Sequence, residues 1–325
     1  MIRALNYTPK AIESLRSHPC PGAPGVRQGM DYLIRKLEQA EVFVLPDNGQ
    51  LMDRAKPRAD LPGMALKPPF EVVALEYSAL NGVPCGGEYN AETASRRISL
   101  AWEWRDDLPP LLAAIAPPID EPGVVIASIT YFDRQNLWMP IAGAAFVPFD
   151  GGPAPADAVN LDFVKAMVAD RRVTRKSAET GMSLGFIPIM PEAVMAGAQR
   201  QGIDKVLNDI SADVMDEVCA YIDLCHVLLC KNVRAERQPA SAALNRARNK
   251  SRPPLRDFHI LTIDGHGEGE GSGEAFSGPR NGPRSHLRRG HIRRLDASRV
   301  TWVNATMVRG RGGFVDKAYS VGARS

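Results

Sequence analysis

The stretch Ser95-Arg-Arg-Ile-Ser-Leu-Ala-Trp-Glu-Trp104 alternates Ile98, Leu100, Trp102 and Trp104 with polar or small residues. Period two belongs to an extended chain that turns every second side chain into a core, so this stretch predicts a half-buried β-strand. Upstream, Glu71-Val-Val-Ala-Leu-Glu-Tyr77 has a β-rich composition and is delivered extended by the prolines at 62, 68 and 69. Downstream, residues 124–132 and 137–149 are apolar, β-branched or aromatic runs joined by Asp133-Arg-Gln-Asn136, which reads as a hairpin turn. Together these runs predict an antiparallel sheet of about four strands.

Helical periods flank the strands. Pro191 suits a first helical turn. After Gly202, the residues Ile203, Val206, Leu207, Ile210, Val214, Val218, Tyr221, Ile222, Cys225, Leu228 and Leu229 hold a 3.6-residue repeat, with acids at 204, 209, 213, 216, 217 and 223 supplying the polar face. This predicts a core helix packed on the sheet and ending near Lys231. Two amino-terminal helices are predicted at 9–17 and 26–40, separated by the Pro- and Gly-rich breaker at 18–25; Met30, Leu33, Ile34 and Leu37 form the apolar stripe of the second. Residues 46–69 read as irregular and 161–170 as helical. The fold class expected is α+β, an antiparallel sheet with packed helices, over a target-recognition domain at 1–230.

The five cysteines, at 20, 85, 219, 225 and 230, form no CxxC pair, which argues against a disulfide framework or a zinc ribbon. On a helix only His226 and Cys230 share a face, and two ligands do not make a structural metal site. No metal or cofactor is expected. No run approaches the roughly 20 apolar residues that span a bilayer, and the amino terminus lacks a secretory pattern, so a cytoplasmic protein without membrane contact is expected.

Charge is distributed unevenly along the chain. Residues 280–325 carry eleven Lys and Arg against Asp296 and Asp316, a local charge of +9 in a chain of net +3, so the residues before 280 sum to −6. Such segregation is the footprint of a polyanionic partner. A second run, 231–256, has eight basic residues and one acid, Glu236, and reads as a basic linker or arm. Beyond it, 257–325 reads as a basic β-rich module, starting with a short strand at 258–263. The loop at 264–273 spaces glycines alternately, but Glu268, Glu270 and Glu274 would repel phosphate, so it reads as a flexible spacer. The short basic cluster 171–176 reads as a solvated face.

Within the module, 287–295, 299–308 and 314–321 can each be extended, with a turn at 310–313. Arginine's planar fork suits phosphate oxygens, so Arg284, Arg288, Arg289, Arg293, Arg294, Arg299, Arg309 and Arg311 are the candidate nucleic-acid contacts. Trp302, Phe314 and Tyr319 either stack on bases or form the core of the small sheet. His286 and His291 are the candidate catalytic pair, since two histidines can act as general base and general acid in metal-free RNA cleavage. Five residues apart on one strand they would point to opposite faces, and a kink at Gly290 would bring them together.

The run Arg284-Ser-His286-Leu-Arg288-Arg289-Gly290-His291, between a Gly/Pro-rich segment and a strand bearing Trp302 and Val308, resembles the carboxy-terminal signature of a phage- and plasmid-borne family. That family includes the second type V-A anti-CRISPR protein. Outside the signature, the similarity covers a proline-led strand at 61–77 and an apolar helix before the basic linker. Ile292 stands where the family commonly has Trp, and Asn304-Ala305 where a Pro is usual. The resemblance implies a mobile-element protein in the host bacterial cytoplasm that lowers a host gene product, by recognising a nascent peptide and triggering loss of its mRNA during translation.

Two classes of function follow. One is a binding and regulatory protein, in which the acidic domain recognises a host protein or nascent peptide and the basic end engages messenger or ribosomal RNA. The other is a metal-independent ribonuclease using His286 and His291. A phage structural or DNA-packaging accessory is a third reading.

Overall fold

The computed structural model describes residues 4–52, 66–79, 94–149, 184–248, 250–263, 284–288, 291–295, 299–303, 306–308 and 312–314, by backbone alone at 284–288, 291, 293–294, 303, 306–308 and 312–314. The alternating stretch forms β3 (Arg96–Glu103). It pairs antiparallel with β2 (Val72–Ser78) on one side and β4 (Gly123–Phe132) on the other. The run expected at 137–149 is two strands, β5 (Leu137–Pro140) and β6 (Gly143–Pro148), both antiparallel to β4. The turn at 133–136 closes with Asn136 in the left-handed region, φ 54°, where asparagine is one of the tolerated residues.

The expected α+β class holds, with a larger and mixed sheet. Among the described residues it has nine strands, in the order β7 (Gly185–Pro188), β6, β4, β3, β2, β1 (Glu41–Val44), β9 (Phe258–Ile263), β8 (Val233–Gln238), with β5 also on β4. Four-residue β1 is parallel to both of its neighbours, Phe43 lying opposite Leu75 and His259. It therefore joins the carboxy-terminal strands to the central sheet.

Alternation along the strands divides the core into two layers. On β2, Val72 and Ala74 pack with α1 (Tyr7–Ser17) and α2 (Pro24–Gln39), while Val73, Leu75 and Tyr77 pack on the opposite face with α5 (Ile203–Leu228). Met30, Leu33 and Leu37 on α2 are fully buried, as their helical spacing predicts, each contributing about 1.5–3 kcal/mol of apolar burial. Along α5, Val206, Ile210, Val214, Val218, Tyr221 and Cys225 form the matching stripe. α5 ends at Leu228, three residues before the expected stop.

Distant side chains satisfy both ends of α2. The Glu192 carboxylate, from α4 (Pro191–Gln201), accepts the backbone N–H groups of Gly25 at 2.7 Å and Val26 at 2.9 Å. Arg256 donates to the carbonyls of Leu37 at 2.9 Å, Ala40 at 2.8 Å and Glu38. A helix leaves these donors and acceptors unpaired and carries partial positive charge at its start and negative charge at its end, so an acid at one end and an arginine at the other suit it.

The stretch 231–256, expected as a basic linker, carries regular structure instead. It contains β8, paired with β9 along its whole length, and the short helix α6 (Ala242–Ala247), capped by Ser241. Strand β8 lies at the sheet edge, where its exposed run Arg234–Arg237 needs no apolar partner and its charges discourage edge-to-edge pairing. The segments 161–170, 171–176 and 264–273 lie outside the described residues. No helix among the described residues is long and apolar enough to cross a membrane.

Candidate nucleic-acid interface

Arg284 and Arg288 lie on one small sheet, Arg293 and Arg294 on another. Strand β10 (Arg284–Arg288) pairs antiparallel with β13 (Thr306–Val308) and parallel with β14 (Gly312–Phe314). Strand β11 (His291–Arg294) pairs antiparallel with β12 (Val300–Val303), placing Ile292 opposite Trp302, Arg293 opposite Thr301 and Arg294 opposite Val300. The extended stretch expected at 287–295 is therefore two strands in different sheets. His286 falls on β10 and His291 on β11, rather than on one kinked strand. Arg289, Gly290, Arg309, Arg311 and Tyr319 lie outside the described residues, and Phe314 is placed by its backbone on β14.

The β11–β12 ribbon is held against the end of α5. Ile292, Val300 and Trp302 pack on the buried cluster of Val227, Cys230 and Val233. Of the two roles open to Trp302, the geometry shows the packing one: its indole is half-buried in that contact. The backbone of Cys230 bridges Val300 in parallel, and the Lys231 N–H donates to the Val300 carbonyl at 3.3 Å.

Asn232 completes the attachment with its side chain. Its Nδ2 donates to the Trp302 carbonyl at 2.9 Å, and its Oδ1 accepts the Trp302 N–H at 2.8 Å and the Thr301 hydroxyl at 3.0 Å. An amide side chain offers the same donor and acceptor as a peptide group, so Asn232 stands in for a strand residue beside β12. Sequence reasoning missed it. Nothing local marks one asparagine inside a basic run as the partner of residues some seventy positions away.

The basic residues of 231–256 divide into two groups. Arg237 pairs with Asp257 at 3.0 Å, Arg248 pairs with Glu13 at 2.5 Å and donates to the Pro253 carbonyl, and Arg256 closes α2. These three are used in folding. Lys231, Arg246, Lys250 and Arg252 are exposed, with no ion-pair partner among the described residues. Arg234 on β8 and Arg299, the residue before β12, are exposed, but each already has a partner.

Elsewhere, buried polar groups serve the core. Glu217 on α5 is fully buried and accepts from Tyr77 Oη at 2.8 Å and Arg97 Nη1 at 3.1 Å, while its backbone carbonyl accepts from Ser99 Oγ. Burial, then the nearby Glu217 charge, pushes the Tyr77 phenol well up. For Arg97, burial acts to lower the pKa, but Glu217, Tyr77 and Asp216 outweigh it and raise it. Glu76 is buried and accepts the Thr8 N–H at the start of α1 at 2.7 Å; burial raises its pKa against that bond. The cavity beside it, lined by Asn6, Val42, Glu76, Arg256 and Phe258, has a volume of about 10 Å³, room for one water and no larger ligand. Burial pushes the Cys225 thiol up to about 12 and the Cys230 thiol to about 11, the wrong direction for a nucleophilic or ligating thiolate.

No protein-family model, curated protein or solved structure matches this chain.

Proposed function

We propose that this chain is a mobile-element regulatory protein that binds RNA through its carboxy-terminal basic ribbon and lowers a host gene product in the cytoplasm of the bacterial host. The observation that carries this reading is the charge segregation, +9 in residues 280–325 against −6 before them, in a segment of which the β11–β12 ribbon is held to the body by apolar packing and the Asn232 amide. Phosphate contacts give affinity without sequence choice, which assigns selection of the target to the acidic domain. The signature at 284–291 supports a translation-coupled route: the domain engages a host protein or nascent peptide while the basic end engages the messenger or the ribosome.

Quantifying a target transcript with its opening codons either translated or blocked tests this route. Messenger loss that requires translation is the expected result; equal loss in both arms contradicts the cotranslational step. The ribonuclease reading gains no support from the backbone, which separates His286 and His291 onto different sheets.

A further inference from the structure

We infer that β8 is an interface for a second copy of this chain, the two β8 strands pairing edge to edge and antiparallel about a two-fold axis level with Ala235. The inference stands apart from the RNA reading and goes beyond it. Strand β8 ends the main sheet, with β9 on one side and no strand on the other among the described residues. An edge strand turns the N–H and C=O groups of every second residue outward, where another strand can bond them. Positions 234–237 are exposed and carry no large apolar side chain. The open stretch is bounded on both sides: the ribbon is attached at Cys230 and Asn232 just before it, and Pro239, which has no N–H to offer, follows it.

The charges that discourage edge-to-edge pairing leave one register open. Two sheets meeting at an antiparallel edge are related by an axis normal to the sheet. Such an axis keeps every side chain on its own face, so opposed residues lie an even number of positions apart and the axis is level with a single residue. With the axis at Arg234, Glu236 or Arg237, that residue faces its own copy, like charge against like. At Val233 the second strand meets the ribbon's attachment, and at Gln238 it meets Pro239. At Ala235, Arg234 faces Glu236 of the second copy, Glu236 faces Arg234, and the small Ala235 faces itself. The rejected registers make the accepted one selective.

Opposed side chains on such a pair have Cβ atoms about 4.5–5.5 Å apart, within reach of an arginine–carboxylate bond. Arg234 already has a partner within its own chain, and the five N–H donors of a guanidinium allow a second acceptor. Glu236 is exposed, with no ion-pair partner among the described residues. Arg237 keeps its 3.0 Å bond to Asp257 and faces Val233 of the second copy. The pairing joins two sheets and puts two basic carboxy-terminal segments on one particle.

The test is sedimentation equilibrium of the full chain in about 0.1 M salt, with hydrogen exchange compared at low and high protein concentration. Few residues are opposed, so a reversible dimer in the micromolar range is expected, with slower exchange at β8 as it forms. Arg234→Glu and Glu236→Arg each turn both attractive pairs repulsive, and each is expected to weaken the dimer about tenfold. Both positions are exposed, so each variant is expected to keep the circular dichroism of the wild type. Mixing the two variants in equal amounts restores association, because opposite charges then face each other, and so does the single chain carrying both substitutions. A wild type that stays monomeric overturns the proposal and leaves the β8 edge to a strand of a different protein. Single variants that associate like wild type, or a mixture that does not recover, overturn the register at Ala235. Protection that appears on association in a segment other than β8 overturns the placement of the interface.

Discussion

Replacing Arg97 with Met strips one partner from the buried Glu217 carboxylate while keeping most of the side chain's volume. Glu217 is fully buried and loses its 3.1 Å bond to the guanidinium, keeping only the Tyr77 hydroxyl at 2.8 Å. Removing one member of a buried ion pair costs about 3–5 kcal/mol, because the other charge is left without compensation. The lower end applies here, since the Arg97 side chain retains 21% exposure and water can reach the vacated position. A loss of about 3 kcal/mol is roughly two orders of magnitude in the folding equilibrium. Urea denaturation at pH 7 reads it as a lower midpoint at an unchanged slope. Adding Glu217→Gln to the same chain should recover at least about 1 kcal/mol, because a neutral amide still accepts from Tyr77 and no charge is stranded. A cost below about 1 kcal/mol for Arg97→Met, or a double variant no more stable than the single one, would refute the reasoning.

Other groups give equally direct expectations. Burial raises the Glu76 pKa above its ordinary value of 4.5, so the folded state holds that proton more tightly than the unfolded chain does. Its contribution is full below pH 4.5 and is lost as pH rises through the folded value. Glu76→Gln should therefore gain in stability relative to wild type between pH 5 and pH 7.5 in thermal melts, and a constant difference would contradict the burial argument. Glu192→Ala leaves two amide donors of α2 without their acceptor and should cost about 1–2 kcal/mol, read by the same denaturation; a loss under about 0.3 kcal/mol would dismiss the cap. Gly29→Ala would put a methyl carbon 1.8 Å from the Ile189 carbonyl oxygen, so α2 and the end of β7 must separate. A loss of about 3 kcal/mol or more is expected, and a melt matching wild type would show that this contact is looser than described.

The periodic elements were legible in the sequence. Alternation at Ile98, Leu100 and Trp102 located β3, and the apolar stripes of α2 and α5 located the two helical layers. Strand β1 was not, because Glu-Val-Phe-Val is too short for alternation to show and follows α2 after a single residue, Ala40. Its parallel partners begin 31 and 217 positions after its first residue, at Val72 and Phe258, so nothing local specifies the pairing. Strand β8 was hidden for the opposite reason. An edge strand tolerates the composition of a linker, and Val-Arg-Ala-Glu-Arg-Gln reads as one. For the site, the basic composition and the extended runs within 287–295 and 299–308 were visible. The division into β10 and β11 depends on pairing with β13 and β12, which lie further along the chain, and the Asn232 attachment is a contact that no spacing rule encodes.

We propose RNA binding at the basic end, and the regulatory reading depends on it. Crosslinking the chain to RNA in its host, then sequencing the bound RNA and mapping the crosslinked peptides, tests it most directly. Crosslinks concentrated within 280–311 are expected. Crosslinks confined to residues 1–230, or none above a control protein of equal net charge, would contradict it.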